Sequence, residues 1–426
     1  MVDLKLFDPL TAVAASFCFL GIMLYKRVNL GITLNATAAL LALLSLDWWS
    51  ISDIVFATVN PLKSEGVLAI SVILATFGIM WLSQLYKETG EIARLSESLS
   101  RLVKNPKIVL GVLPAVIGFL PVAGGALMSA PIVDSEAEKL KLKPERKAYV
   151  NLWFRHTIFP VYPLSQVLIV TAALTGVALF SIILLQIPTV IVMIIVGFLV
   201  GFWKVPDVKG QEKSEMSRGN VGLEFKRFLI SFSPIMATIV VAVFLDAISY
   251  GLARQGFDVL IATLAGLVVL AIISKVNYKA LMKPLKDWGI YGVTLAVYGA
   301  FLLRNVIVAS GFSELFKQFI ANGSVDVVIM LTVIPSVLGF LTGSPHGAIA
   351  ISVPILTGIL TFSPKTSALL YISAYLGYVI APTHLCFTFT ANYFKSPLSK
   401  VYNYVIPSFI ATFAAALLIY FLPFTF

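Results

Sequence analysis

The second half of this chain restates its first at an offset of about 221 to 223 residues, within a 426-residue sequence that is 59% hydrophobic. Pro114-Ala-Val-Ile-Gly-Phe-Leu120 is answered by Pro335-Ser-Val-Leu-Gly-Phe-Leu341, and each is followed by a Gly-containing turn and an apolar run holding Pro131 or Pro354. Upstream, Phe77-Gly78 answers Tyr298-Gly299 and Thr89-Gly90 answers Ser310-Gly311; downstream, Phe159-Pro160 answers Ala381-Pro382. A two-fold repeat with Gly/Pro interruptions at matching places is the pattern of a secondary transporter whose site lies at the repeat interface.

Only 12% of the residues are charged, too few to cover a soluble fold of this size, so the chain reads as an all-α polytopic membrane protein. The net charge of +10 does not point to nucleic acid, because its placement follows the apolar runs. Met1 to Leu10 carries Asp3, Lys5 and Asp8, so the first apolar run reads as a retained span. Cys18 and Cys386 both lie in apolar segments, which speaks against a disulfide framework or a thiolate cage.

Spans are expected near 9–25, 29–45, 67–86, 151–174, 178–202, 228–250, 257–274, 288–309, 366–393 and 401–422. Two further runs, 108–133 and 327–357, are interrupted and read as re-entrant hairpins. Alternating the loops across the membrane places 24 of the 31 Lys and Arg on one side and 5 on the other, with Arg155 and Arg304 left within or beside spans. By the positive-inside rule both termini are then extracytoplasmic and the 203–227 linker cytoplasmic. Each half, 1–205 and 226–426 about a linker at 206–225, has about five spans plus one hairpin. Five is odd, so the second half enters upside down, as an inverted repeat. Segments 87–107 and 311–323 carry mixed charge at helical spacing and read as amphipathic arms along the interface.

The second hairpin's tip holds Thr342, Gly343, Ser344 and His346, which offer a tight turn, hydroxyls and a helix N-terminus suited to an anion. The first offers Gly124 and Gly125, then Ser129. The spans that follow are broken by Pro160 and Pro382, freeing carbonyls near Ser165, Thr383 and Asn392 that could host a coupling cation. All three histidines, His156, His346 and His384, fall in these segments, and Arg304 lies in a span beside Asn305. Asp246 is the only obvious intramembrane acid, so the expected pocket is cationic to neutral and suits an anion; His156 or His384 could instead carry a coupling proton.

At Ala381-Pro-Thr-His-Leu-Cys386 and Asn392-Tyr-Phe394 the chain resembles the ion transporter superfamily, with its divalent-anion/sodium symporters and citrate and gluconate permeases, as an uncharacterised prokaryotic branch of unknown function. That resemblance implies scaffold helices, a transport domain holding the hairpins and broken helices, elevator motion and a homodimer. The Ser-Asn-Thr tip signature of its dicarboxylate branch is absent from Val122-Ala-Gly-Gly125 and Gly343-Ser-Pro-His346.

The expected function is therefore secondary active transport of a small anion, an organic carboxylate, by alternating access with Na⁺ or H⁺ and no further cofactor. Two other readings compete. A divalent-metal carrier would use the three imidazoles and Cys386. An intramembrane enzyme lacks support, because neither His-Glu-x-x-His nor Gly-x-Ser-x-Gly occurs.

Overall fold

A computed structural model of the chain describes residues 6–103, 105–120, 125–206, 221–249, 251–252, 255–312, 314, 326–357 and 360–423. Its regular elements among these residues are all helical. Six helices are long and apolar enough to cross a bilayer: Ser64–Glu88, the interrupted Pro144–Thr175, Leu179–Phe202, Val221–Ile248, Trp288–Ala309 and Leu398–Phe421. The chain is an all-α multi-pass membrane protein.

Three of the expected spans form close to their expected bounds and are short for a bilayer. Pro9–Tyr25, Leu30–Ser45 and Phe257–Ile273 have 17, 16 and 17 residues, a reach of about 25 Å against a hydrocarbon core of about 30 Å. Asp8 and Asn29 fix the first two starts by accepting backbone N–H groups with their side chains. A helix that the sequence reading passed over, Trp48–Thr58, follows them. Its exposed Trp48 and Trp49 suit the headgroup level, where amphipathic rings gather.

Both interrupted runs fold as two packed helical arms, and four of their prolines lie within the arms rather than between them. Pro114 and Pro131 lie inside the first hairpin's arms, Pro106–Gly118 and Ala126–Lys139. Pro335 and Pro354 lie inside the second's, Val327–Thr342 and Pro345–Thr357. The second turns at Gly343, whose φ of +59° is left-handed and whose N–H bonds back to the Gly339 carbonyl; Pro345 then opens the next arm. Each hairpin precedes a broken helix. The first runs Pro144–Arg155, a 3₁₀ turn at Phe159–Val161, then Gln166–Thr175. The second runs Pro364–Val379, a break, then Leu385–Tyr393.

The repeated Gly-Phe-Leu has a packing reason. A Cβ on Gly118 would run into the Arg155 carbonyl oxygen, and one on Gly339 into the Ala374 carbonyl oxygen. Each hairpin's first arm thus lies backbone-close to the broken helix that follows it, a contact only small residues permit.

Around this unit Leu30–Ser45 packs on Trp288–Ala309, and Val221–Ile248 on Phe257–Ile273, which in turn packs on Ser64–Glu88. Within the first expected arm, Glu91–Leu102 is an amphipathic helix, burying Ile92, Leu95 and Leu99 while Arg101 stays exposed. Its buried Glu91 accepts from Ser231 Oγ at 2.6 Å, tying the arm to Val221–Ile248. Most of the second expected arm and of the 206–225 linker lies outside the described residues.

Candidate functional site

The offset of 222 that aligns Pro160 with Pro382 also pairs His156 with Tyr378 and Tyr162 with His384. Three of these four meet in the interior. The His156 and His384 rings are 4.8 Å apart at 87°, and the Tyr378 ring lies 4.0 Å from that of His384. The Tyr378 hydroxyl is 3.4 Å from His156 Nε2. Cys386 joins them: one nitrogen of each histidine and its Sγ all lie within 4.8 Å of one another. His346 stands apart, half-buried in the first turn of Pro345–Thr357 with no partner for Nε2. The three imidazoles of the metal-carrier reading therefore do not form one site.

The first break is already capped from the other half. Tyr375 donates to the His156 carbonyl at 2.8 Å and Tyr371 to that of Phe159 at 3.4 Å. At the second break Thr388 donates to the Pro382 carbonyl at 3.0 Å, and Tyr402 to that of Ile380 at 2.8 Å. The freed carbonyls expected around Pro160 and Pro382 thus each have one lone pair engaged. Ser165 is buried just before Gln166–Thr175, whereas Asn392 is exposed in the last turn of Leu385–Tyr393, far along from the break.

Arg155 is the residue the sequence reading did not place in the site. It is 2% exposed, so it does not snorkel to a surface. Its Nη2 donates to the Leu120 carbonyl at the end of the first hairpin's arm, at 3.2 Å, while Nε and Nη1 are buried without partners. Its burial follows from the Gly118 contact, which draws this turn against the hairpin.

Ser129 is held by a second group that sequence reasoning missed. Its hydroxyl donates to Asn151 Oδ1 at 2.5 Å, and Asn151 Nδ2 donates to the Ala126 carbonyl at 2.9 Å and reaches Thr390 Oγ1 at 3.4 Å. The hairpin, the first broken helix and the second are knitted at one amide. Gly125 sits directly before this arm, and Gly124 lies outside the described residues.

At the second tip Thr342, Gly343, Ser344 and Thr383 are together. A Cβ on Gly343 would reach Thr383 Oγ1 at 2.5 Å, and the Ser344 N–H donates to Thr342 Oγ1 at 3.2 Å. Asn305 is not drawn to either tip; its Nδ2 donates to Thr58 Oγ1 at 2.9 Å and anchors the short Trp48–Thr58 helix. Arg304 beside it is half-buried, with no partner for Nε.

A family model described as Protein of unknown function (DUF401) matches residues 11–422. The fold is similar to that of the YdaH transporter of Alcanivorax borkumensis, with 14% identity, a TM-score of 0.61, and 94% of this chain and 97% of that chain covered. It is also similar to that of Neisseria gonorrhoeae MtrF, which belongs to a class of antimetabolite efflux pumps, with 14% identity, a TM-score of 0.53, and 97% and 95% covered. A comparison with curated proteins found no match. These findings correct the kinship read from the sequence: the likeness is to YdaH and MtrF, not to the divalent-anion/sodium symporter superfamily.

Proposed function

The chain belongs to the DUF401 family of proteins of unknown function, and on that premise we propose that it is a secondary active transporter for a small anionic solute, an organic carboxylate, coupled to Na⁺ or H⁺. The observation that carries this reading is Arg155. A buried guanidinium costs several kcal/mol unless it is paired, and here Nε and Nη1 have no partner in the protein. A carboxylate presents two oxygens to that fork of donors, which supports an anionic cargo. The shared fold with the YdaH transporter and with MtrF supports transport as the activity.

In this reading the first tip supplies Gly124, Gly125 and Ser129, and the second supplies Thr342, Gly343 and Ser344, with Thr383 and His384 from the second break. The two halves are inverted repeats, with both termini extracytoplasmic and the linker cytoplasmic. The hairpins and broken helices move as one body, an elevator, against the helices built around Trp288–Ala309, and two copies form a homodimer. Each half then takes up the conformation its counterpart leaves, which gives alternating access.

The test is uptake of mono-, di- and tricarboxylates into proteoliposomes under a Na⁺ or a pH gradient. Saturable, gradient-dependent uptake is expected, falling about a hundredfold in Arg155→Gln. Undiminished uptake in that variant, or flux that neither saturates nor follows a gradient, would overturn the reading.

A further inference from the structure

The cluster of His156, His384 and Cys386 is not used by the anion reading as a unit, and its chemistry is distinct. The three side chains are 1%, 2% and 6% exposed, and their ligand atoms all lie within 4.8 Å of one another. Tetrahedral zinc with bonds of about 2.0–2.3 Å needs ligand atoms about 3.5 Å apart. A closure of about 1 Å, the scale of a rotamer adjustment at two helix breaks, would complete the set.

The orientation of both imidazoles fits. His156 Nδ1 lies 2.7 Å from the Leu152 carbonyl, and His384 Nδ1 lies 3.4 Å from that of Val379. A carbonyl only accepts, so each Nδ1 carries the proton and each Nε2 presents a lone pair, the second-shell arrangement of metal-ligating histidines. His384 Nε2 is buried with no partner at all. Such an orphan acceptor beside a thiol and a second imidazole is costly unless something occupies the space between them.

We propose that His156, His384 and Cys386 bind one d¹⁰ metal ion of the Zn²⁺ class. Two imidazoles and a thiolate without a carboxylate exclude Mg²⁺ and Ca²⁺, which take oxygen ligands. The Tyr378 hydroxyl, 3.4 Å from His156 Nε2, is the group at hand for the fourth position. On binding, the thiol proton leaves to solvent and the metal–sulfur bond forms, with no change of oxidation state. One ligand comes from the first broken helix and two from the second, so the ion staples the two breaks together. It is resident rather than cargo, since all three ligands are buried side chains of the two helix breaks. The proposal stands on this cluster and does not depend on the cargo being an anion.

The experiment is a Co²⁺ titration of the purified, metal-stripped protein in detergent. The parent is Cys18→Ala, because Cys18 is the only other thiol and is exposed. One equivalent is expected to give the visible bands of a tetrahedral site and a sulfur-to-cobalt charge-transfer band, both erased by Zn²⁺. Cys386→Ser should abolish the charge-transfer band, and His384→Gln and His156→Gln should each weaken binding at least about tenfold. Zn²⁺ should raise the Tm of the parent and not of His384→Gln. A parent without a charge-transfer band overturns the proposal, and so does binding that both histidine variants retain. If Cys386→Ser does not fold, the two histidine variants decide alone.

Discussion

The two halves place very different residues at the same point of the same backbone plan. Arg155 in the first half and Gly377 in the second are related by the 222-residue offset. A Cβ at Gly377 would strike the Ser336 carbonyl oxygen, so the second hairpin presses directly against its broken helix. The first half leaves room there for a guanidinium that reaches the first hairpin's arm. Nearby, Ser129 and Asn151 correspond to Ser352 and Ser373. The first pair is hydrogen-bonded at 2.5 Å, whereas both hydroxyls of the second pair are buried without partners. Both halves are joined by close backbone approach, but at this position the first buries a charge where the second presses backbone on backbone. The same backbone plan thus accommodates both.

The comparison breaks most severely at Gly377. Gly377→Ala must push the broken helix off the Ser336 carbonyl, and a loss of about 3 kcal/mol, read as a large drop in Tm and folded yield, is expected. An unchanged Tm would mean that the two halves are not packed differently. Next comes Asn151→Ala, which removes the Ser129 hydroxyl's contact to the first broken helix and one donor from the Ala126 carbonyl, leaving only the bond between those two at 3.1 Å. Thermal unfolding should show a loss of about 2 kcal/mol, against less than about 0.5 kcal/mol for Ser373→Ala, whose hydroxyl has no partner to lose.

Arg155→Gln sharpens the contrast from the other side. Removing a buried charge with two unpartnered nitrogens should leave stability unchanged or raise it while transport is lost. A fall of several kcal/mol would instead make Arg155 structural. The smallest effect is expected at the start of Val221–Ile248, where Arg227 pairs with Glu224 at 2.8 Å and is itself 56% exposed. Arg227→Gln should cost at most about 0.5 kcal/mol and less in high salt, checked by Tm at two ionic strengths.

Much of the plan was legible in the sequence because proline, glycine and charge act locally. Apolar runs and the sparse charges gave the membrane class, and the proline-bearing segments at 160 and 382 marked both broken helices. The hairpins were legible as interrupted runs and the second turn was legible at Gly343, but the prolines misled: Pro114 and Pro335 sit within helices, because neighbouring packing tolerates the lost backbone bond. Arg155 was unreadable because snorkelling and burial look alike in a sequence, and only the Gly118 contact decides between them. Asn305, expected near the site, bonds to Thr58, 247 residues away in the chain, a partner no local pattern could name.

What the sequence determined by itself is the periodic content: helices, their interruptions, the two-fold offset and the small residues where backbones meet. These depend on neighbours along the chain and on the bilayer as solvent. Which side chains share a space depends on helices crossing between halves, and only the tertiary structure decided that. It set His156 against His384 and Cys386, left His346 outside that cluster, capped the first break with tyrosines from the second half, and buried one arginine without a carboxylate. Distance along the chain carries no information about such meetings, since the crossing is fixed by packing of whole helices rather than by any residue's own preference.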